Sequence, residues 1–461
     1  MSTPSTSSTQ DRVLGLWSTT AIVVASMIGS GIFVTTGEIG PSLVSANSVL
    51  LVWIVCAILA LCGALSLGEL GAMLPTAGGS YVYIRRAFGP HVGCFVGLEA
   101  MLVSFPASLA IIALVMGRYL EEISPMLDGR WAAIIGLILI TLIHCRGTVF
   151  GAFINTIGAV LKIVLLAGFI ILGFLLPAPE ASTTVVTEPA PGFFSSEFAS
   201  AVLIVIFAYQ GWAIVTVVGG EVRRPERNIP LSILGAVVLV TLIYILMNLV
   251  FLKAVAPVDM VNASGEPTST IGSLVASVMF PEWVTSSLDG LIVLFMFSTI
   301  VCVTLAGGRM AYAMADGGQL HRRFKQLNSR GAPVQALMLQ AIISVILAAC
   351  FDIVQLLLFS GLIRLFCQSL MIGSIFILRW KEPDLPRPFR IPLYPVPPLI
   401  FVMLSVWIAW SVATADPDKI AACATVIVVL AGLAIACMRL NREDDSDRPE
   451  GTDESQTALR G

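Results

Sequence analysis

Residues 27–33 read MIGSGIF, and they interrupt the first long apolar run of the chain, residues 14–35. Residues 207–212 read FAYQGW and stand in the middle of the sixth such run. Inside a bilayer, irregular backbone is tolerated only where it is buried in protein or lines a cavity, because every N–H and C=O needs a partner. Each cluster alone fits close helix packing on small residues equally well. Their positions in the first and sixth runs predict two five-helix halves of inverted topology, each beginning with a broken helix at a substrate site.

The composition places these runs in a membrane. Apolar residues make up 57% of the 461 residues and charged residues 12%, about half the charged share of a soluble domain. A helix needs about 20 residues to cross a hydrocarbon core ~30 Å thick, and about twelve apolar runs approach that length. The sequence therefore predicts an all-α integral membrane protein with about twelve transmembrane helices. The net charge of −3 provides no basic field and argues against nucleic acid as a partner.

The distribution of basic residues orients the chain. With the N-terminus inside, 20 of the 26 lysines and arginines fall on inside loops and tails, while four fall outside and two lie within apolar runs. Because short cytoplasmic loops are enriched in lysine and arginine, both termini are expected to be cytoplasmic. We expect a cytoplasmic tail at 1–13, a transmembrane domain at 14–438 and a second cytoplasmic tail at 439–461, in the plasma (inner) membrane.

The interrupted backbone suits a zwitterionic ligand. Free N–H groups at the start of the second half-helix, near Ser30, attract a carboxylate together with the positive end of the helix dipole. Carbonyls freed at the ends of the other half-helices, near Met27 and Phe207, accept hydrogen bonds from an ammonium.

Six motifs occur in order between residues 13 and 442. They are IGSGIF at 28–33, GELG at 68–71 running on to Tyr83, FAY with GW within 207–212, GEV at 220–222 running on to Pro230, Arg309 with Tyr312 and Gly317, and LRWK at 378–381 running on to Pro395. Together they resemble the motifs of the amino acid-polyamine-organocation superfamily, and within it the L-type amino acid transporters and their bacterial relatives.

The resemblance implies a secondary active transporter, a permease or exchanger that moves L-amino acids by alternating access. It implies a five-plus-five inverted repeat with broken helices 1 and 6, followed by two C-terminal helices. Backbone N–H groups of Gly29, Ser30 and Gly31 would hold the substrate carboxylate, and the carbonyls of Met27, Ile28, Phe207 and Ala208 its amine. Phe207 would also gate the site, and Gln210, Gly211 and Ala213 would line the side-chain pocket. Proton-coupled amino acid or polyamine symport, a channel and a transport-dead amino acid sensor remain open alternatives.

Lys162 lies about ten residues into the fifth apolar run, about 15 Å deep at ~1.5 Å per residue. An ammonium at that depth costs about 2.5–3.5 kcal/mol, so it should face protein or water. The alternative is snorkelling to the cytoplasmic surface. Lys162 also matches a fifth-helix lysine of the family that resembles a built-in substitute for the sodium ion of related symporters. We expect it to bridge the broken first helix and the eighth helix, which would make transport sodium-independent.

Other charged residues have structural and functional interpretations. Glu69 and Glu99, in the second and third runs, are expected to be packed and paired carboxylates. Arg364 in the tenth run has no evident partner, and a structural pair with a carboxylate such as Asp352 is the expectation. Glu221 and Arg223 follow the sixth run. They belong either to an ordinary basic loop or to inner-gate ion pairs that break for inward opening.

A membrane-embedded enzyme is the main rival class. It would need a nucleophile–base pair, paired catalytic carboxylates or metal-binding histidine spacing, and the three histidines, at positions 91, 144 and 321, are far apart. We therefore expect no enzymatic activity, no cofactor and no metal site. Animal L-type transporters are disulfide-linked to a heavy chain through a cysteine between the third and fourth helices, and residues 118–130 contain none. The expected partners are an amino acid substrate and the lipid bilayer, without a disulfide-linked heavy chain.

Overall fold

The computed structural model describes residues 12–75, 79–146, 149–177, 189–217 and 219–446. Residues 1–11 and 447–461 of the predicted tails lie outside these ranges. The described residues form seventeen α-helices and no sheet, with isolated β-bridges only at Leu14–Val222 and Val261–Pro267. Eight helical segments among them are long and apolar enough to cross a membrane, and four shorter apolar helices accompany these. The prediction of an all-α membrane protein is confirmed for this part of the chain.

The helices follow one another along the chain. They are α1 (Leu16–Met27), α2 (Thr35–Leu43), α3 (Ala46–Met73), α4 (Ser80–Phe88), α5 (Pro90–Glu99), α6 (Phe105–Ile123), α7 (Gly129–Cys145), α8 (Val149–Leu175), α9 (Ser196–Val205), α10 (Ile214–Val217), α11 (Pro225–Ala254), α12 (Ile271–Met279), α13 (Glu282–Asp316), α14 (Val334–Cys350), α15 (Ile353–Lys381), α16 (Val396–Ala415) and α17 (Pro417–Ser446). Helix α17 continues to Ser446, whereas the sequence predicted that the transmembrane domain ends at residue 438 and the C-terminal tail begins at residue 439.

The first apolar run is broken where the sequence predicted. Helix α1 ends at Met27, and Ile28 and Gly29 are extended. A 3-10 turn over Ser30–Phe33 then leads into α2. The break is sharp because an extended residue pair cannot continue the helical hydrogen-bond ladder, and it leaves the N–H groups of the following turn without intrahelical partners.

The sixth apolar run is broken over a longer segment. Between α9 and α10, residues 206–213 form successive tight turns, with the N–H of Phe207 bonded to the carbonyl of Ile204 and the N–H of Gln210 to that of Phe207. Gly211 has a φ of +107°, which side-chain-bearing residues rarely adopt. A Cβ at Gly211 would also lie 2.4 Å from the carbonyl oxygen of Ser26. The glycine therefore lets the second break approach the end of α1.

A third irregularity lies between α5 and α6. Residues Ala100–Ser104 form a single π-helical turn, in which the N–H of Phe105 donates to the carbonyl of Ala100. Hydrogen bonds of a π-turn join residues five apart, so positions 99 and 104 come onto the same face of the helix. No motif in the sequence indicates this turn.

Helix α11 packs against α1 and α3, and α13 packs against α6, α8 and α14. A buried carboxylate joins α3 to α15 and to the segment that follows α15. The Oε1 and Oε2 atoms of Glu69 accept hydrogen bonds from Arg379 Nε at 2.9 Å and Nη2 at 2.7 Å, and the N–H of Ile391 donates to Oε2 at 2.8 Å. Glu69 is fully buried. Its expected role as a packed and paired carboxylate is confirmed.

Candidate functional site

The two breaks meet at a cavity of about 310 Å³ in the middle of the bundle. Ten of the predicted site residues line it: Met27, Gly29, Ser30, Gly31, Lys162, Phe207, Ala208, Gln210, Gly211 and Ala213. Three others, Ile28, Glu221 and Arg223, are not among the lining residues. Gly31 explains how the breaks come so close, because a Cβ there would lie 2.5 Å from the Cα of Ala208.

One end of the cavity is rich in hydrogen-bond donors. Ser30 and Gly31 stand in the first turn after the break, where backbone N–H groups have no intrahelical partner. Ser30 is 1% exposed, and its hydroxyl oxygen has no hydrogen-bond partner among the described residues. A buried hydroxyl without a partner is costly. This end is therefore suited to an anionic or polar ligand group.

Tyr244 of α11 joins the two breaks. Its hydroxyl lies 2.9 Å from the carbonyl oxygen of Met27 and 3.1 Å from that of Ala208, and the side chain is fully buried. Each carbonyl has two lone pairs, so both retain acceptor capacity beside this bond. One turn further along α11, Asn248 accepts a hydrogen bond from Thr36 at 2.7 Å. Neither residue was predicted as part of the site. The sequence signal for them is that a tyrosine and an asparagine stand inside an apolar run.

Lys162 lies where α8 crosses α13. Its Nζ donates to Thr299 Oγ1 at 2.9 Å and stands 4.6 Å from the centroid of the Phe295 ring. The residue is 2% exposed, so it does not snorkel to a surface. The bridge to the eighth apolar helix is observed directly. Thr299 stands near the first break, since its Cγ2 lies 4.0 Å from the position that a Cβ on Gly29 would take. The bridge from Lys162 to the first helix itself stays a prediction.

A second polar group lines the cavity beside the sixth-helix break. Gln368 of α15 donates through Nε2 to Gln210 Oε1 at 2.8 Å, and Gln210 Nε2 donates to the carbonyl of Ile206. Both glutamines are partly buried. Gln210 was predicted from the sequence as a pocket residue, and Gln368 was not.

The partner predicted for Arg364 is wrong. Asp352 caps α15 at its N-terminus and pairs with Arg130 at 2.5 Å. Arg364 lies three turns further along α15 and donates instead to Ser104 and Ser108 of the third apolar segment. Glu99 accepts a hydrogen bond from the Ser104 hydroxyl at 2.5 Å. Glu99 and Arg364 thus belong to one cluster, which the sequence could not assemble because the π-turn was not evident.

Contacts among Tyr119, Phe33 and Gly272 separate the cavity from the surface at one end of the helix bundle. The Tyr119 hydroxyl donates to the Phe33 carbonyl at 3.0 Å and accepts from the Gly272 N–H at 3.1 Å. Phe33 packs edge-on against Phe295 with ring centroids 5.5 Å apart. The cavity extends the other way, toward Gly79 at the start of α4.

Glu221 and Arg223 form no ion pair with each other in the described part of the chain. Their backbones instead join the segment before α1: the Leu14 N–H donates to the Glu221 carbonyl at 3.0 Å, and the Arg223 N–H donates to the Leu14 carbonyl at 2.8 Å. The Arg223 side chain adds a bond from Nε to the Arg12 carbonyl at 2.9 Å. In this conformation the predicted inner-gate residues tie the ends of the two broken helices together through backbone bonds.

Comparison with known proteins agrees with the motif resemblance. Residues 14–433 match the amino acid permease family. The large neutral amino acids transporter small subunit 2 of Mus musculus is 29% identical over 417 residues, which cover 87% of this chain and 77% of that protein. The b(0,+)-type amino acid transporter 1 of Rattus norvegicus is 28% identical over 437 residues, covering 90% and 85%. The serine/threonine exchanger SteT of Bacillus subtilis is 26% identical over 429 residues, covering 92% and 96%.

Proposed function

The chain belongs to the amino acid permease family, and on that premise we propose that it exchanges L-amino acids across the membrane by alternating access, independently of sodium. Family membership makes it a transporter and not an enzyme. By name, its relatives are a large neutral amino acids transporter small subunit, a b(0,+)-type amino acid transporter and a serine/threonine exchanger, which supports an amino acid as the substrate.

The contact of Lys162 with Thr299 carries the sodium-independent part of the proposal. The ammonium is buried and bonded across α8 and α13, and Thr299 stands beside the first break. A fixed positive charge at this junction supplies the attraction that a bound cation would otherwise have to supply. A protein that carries its own cation there has no need to bind sodium before the substrate.

The two breaks are the proposed binding elements for the substrate backbone. The N–H groups of Gly29, Ser30 and Gly31 would bind the carboxylate, because they begin a helical turn and lie at the cavity wall. Carbonyls of Met27, Ile28, Phe207 and Ala208 would accept from the ammonium. The carbonyls of Met27 and Ala208 would accept from the ammonium in addition to the Tyr244 hydroxyl, which already bridges them. Phe207, Gln210, Gly211 and Ala213 would form the gate and the side-chain pocket.

The proposed architecture is a five-plus-five inverted repeat followed by α16 and α17, in the plasma membrane with cytoplasmic termini. It is supported by the order of the broken helices and by the excess of basic residues on one side. On this orientation the cavity extends toward the cytoplasm, and Tyr119, Phe33 and Gly272 close the outer side. Glu221 and Arg223 would take part in inner-gate ion pairs that break for inward opening.

We expect the chain to act without a disulfide-linked heavy chain, since residues 118–130 contain no cysteine. A non-reducing gel of the protein from its native membrane tests this directly. A single band at the mass of the chain agrees with the proposal, and a reducible heterodimer contradicts it.

The transport proposal is tested by counterflow in proteoliposomes loaded with unlabelled amino acids. Labelled alanine, serine, leucine, glutamine, glutamate and arginine are supplied outside, each with and without a proton gradient. Saturable uptake of at least one amino acid that depends on internal substrate agrees with exchange. Uptake that needs a proton gradient instead supports the proton-coupled alternative. Saturable binding without any flux supports the sensor.

A further inference from the structure

The cavity contains a charged cluster that the binding of the substrate backbone does not use. Arg364 of α15 and Glu99 at the end of α5 both line the cavity wall. Glu99 is 3% exposed, and Arg364 is partly buried. A charged pair at this depth is costly to bury, and intramembrane ionisable residues are functional sites by default.

The π-turn between α5 and α6 builds the cluster. It places Glu99 and Ser104 on one face, so that the Ser104 hydroxyl donates to Glu99 Oε1 at 2.5 Å. The same hydroxyl oxygen accepts from Arg364 Nε at 3.1 Å. The Ser104 hydroxyl therefore links the Arg364 guanidinium to the Glu99 carboxylate, accepting from the first and donating to the second. The two charges balance, and the cluster carries no net charge when both groups are ionised.

The Arg364 guanidinium has hydrogen-bond donors that its serine contacts do not use. Its Nη2 is satisfied by the Ser104 carbonyl and the Ser108 hydroxyl, each at 2.9 Å. Its Nη1 carries two more N–H donors, and these have no acceptor among the residues that the structure describes. Since Arg364 lines the cavity, water or a ligand group supplies the acceptor there.

Acceptors stand on the same wall. Gln368 lies one helical turn from Arg364, about 6 Å along α15. It donates through Nε2 to Gln210, and its Oε1 receives no hydrogen bond from the described residues. The polar face of α15 thus runs from the sixth-helix break at Gln210 to the carboxylate of Glu99. Along this line the cavity offers both free donors and free acceptors.

The chemistry of the wall selects among amino acid side chains. An apolar side chain packed against Arg364 would displace the water that pairs with the Nη1 donors and leave these donors unpaired, which is costly. A carboxylate would satisfy Nη1 but would stand near the negative charge of Glu99 and the Gln368 oxygen. A carboxamide offers an oxygen to Nη1 and an NH₂ group to Glu99 or Gln368, and it leaves the charge balance unchanged.

We propose that Arg364, Glu99 and Gln368 form a side-chain subsite for amino acids that end in a carboxamide, namely glutamine and asparagine. The inference rests on the proposed function, because it places the substrate backbone at the two breaks. It gives Arg364 a specificity-determining role, and Ser104 and Ser108 the role of holding the guanidinium in place.

Three substrates of similar length separate the possibilities in the wild-type protein. Glutamine, glutamate and methionine are compared as competitors of labelled glutamine in the proteoliposome exchange assay. We expect glutamine to compete at least tenfold better than glutamate and methionine. If methionine competes better than glutamine, the polar subsite is refuted. If glutamate competes better than glutamine, the charge balance of the cluster is refuted. If no amino acid exchanges at all, the proposed function itself fails, which is a distinct result.

Variants locate the preference in the cluster. Arg364→Met removes the donors, and we expect the ratio of glutamine to methionine competition to fall at least tenfold. Gln368→Leu removes the acceptor and should lower the same ratio by a smaller factor. Arg118→Met is the matched control, because Arg118 is exposed and pairs with Glu121 away from the cavity. An unchanged ratio in a folded Arg364→Met protein contradicts the proposal. If that variant does not fold, the Gln368→Leu ratio and the wild-type competition series decide.

Discussion

Replacing Lys162 by methionine keeps the length of the side chain and removes its charge. In the wild-type protein Nζ donates to Thr299 Oγ1 at 2.9 Å, beside the ring of Phe295. The variant loses this bond and the fixed charge next to the first break. The Thr299 hydroxyl keeps its bond to the Phe295 carbonyl at 3.0 Å, so α13 remains intact.

The size of the effect follows from that one contact. A hydrogen bond from a charged donor contributes about 1.5–3 kcal/mol, and ~1.4 kcal/mol corresponds to a factor of ten in an equilibrium constant. If the bond forms only in the substrate-binding conformation and that conformation is the minor one, its loss lowers the equilibrium constant for reaching that conformation, and with it the population, by roughly 10- to 150-fold. We expect the initial rate of exchange at low substrate concentration to fall by the same factor.

The assay is counterflow of a transported amino acid in proteoliposomes, with the amount of protein in each preparation measured. Lys419→Met is the matched control, because Lys419 is exposed and pairs with Asp416 at the start of the last helix. The control is expected to exchange at the wild-type rate. A Lys162→Met protein that exchanges within twofold of wild type, with the same response to sodium, refutes the coupling role.

Three further substitutions test the site and the scaffold. Gly31→Ala places a Cβ 2.5 Å from the Cα of Ala208 and should abolish exchange, whereas Gly235→Ala meets nothing within 4 Å and should not. Tyr244→Phe removes the hydroxyl between the two breaks and should weaken substrate binding roughly 2- to 13-fold, from about 0.5–1.5 kcal/mol per hydrogen bond; unchanged affinity in a binding titration contradicts this. Glu69→Gln removes the buried negative charge that pairs with Arg379 and should lower Tm, at a cost of about 3 kcal/mol; an unchanged melting curve refutes that estimate.

The breaks could be predicted from the sequence because local chemistry determines them. Glycine and polar residues in the middle of an apolar run have few structural solutions inside a bilayer, and the structure interrupts the first and sixth runs at those places. The depth of Lys162 was likewise readable from position alone. The breaks and the depth of Lys162 follow from residue positions within the apolar runs and need no knowledge of tertiary contacts.

The partners of the buried charges could not be predicted. Arg364 is bonded to residues about 260 positions away in the chain, and the contact depends on a π-turn that no residue type specifies. Asp352 was the nearest carboxylate in sequence, but an aspartate at a helix N-terminus serves as a cap, and here it also pairs with Arg130. Tyr244 was missed for the same reason, because a tyrosine in an apolar run shows its role only when both breaks are placed beside it.

The sodium-independent exchange of amino acids is tested most directly by replacing sodium with choline on both sides of the proteoliposome membrane during counterflow. With Lys162 as the built-in cation, uptake of a transported amino acid should saturate at the same rate and with the same half-saturating concentration in both media. Uptake that appears only when sodium is present would contradict the account.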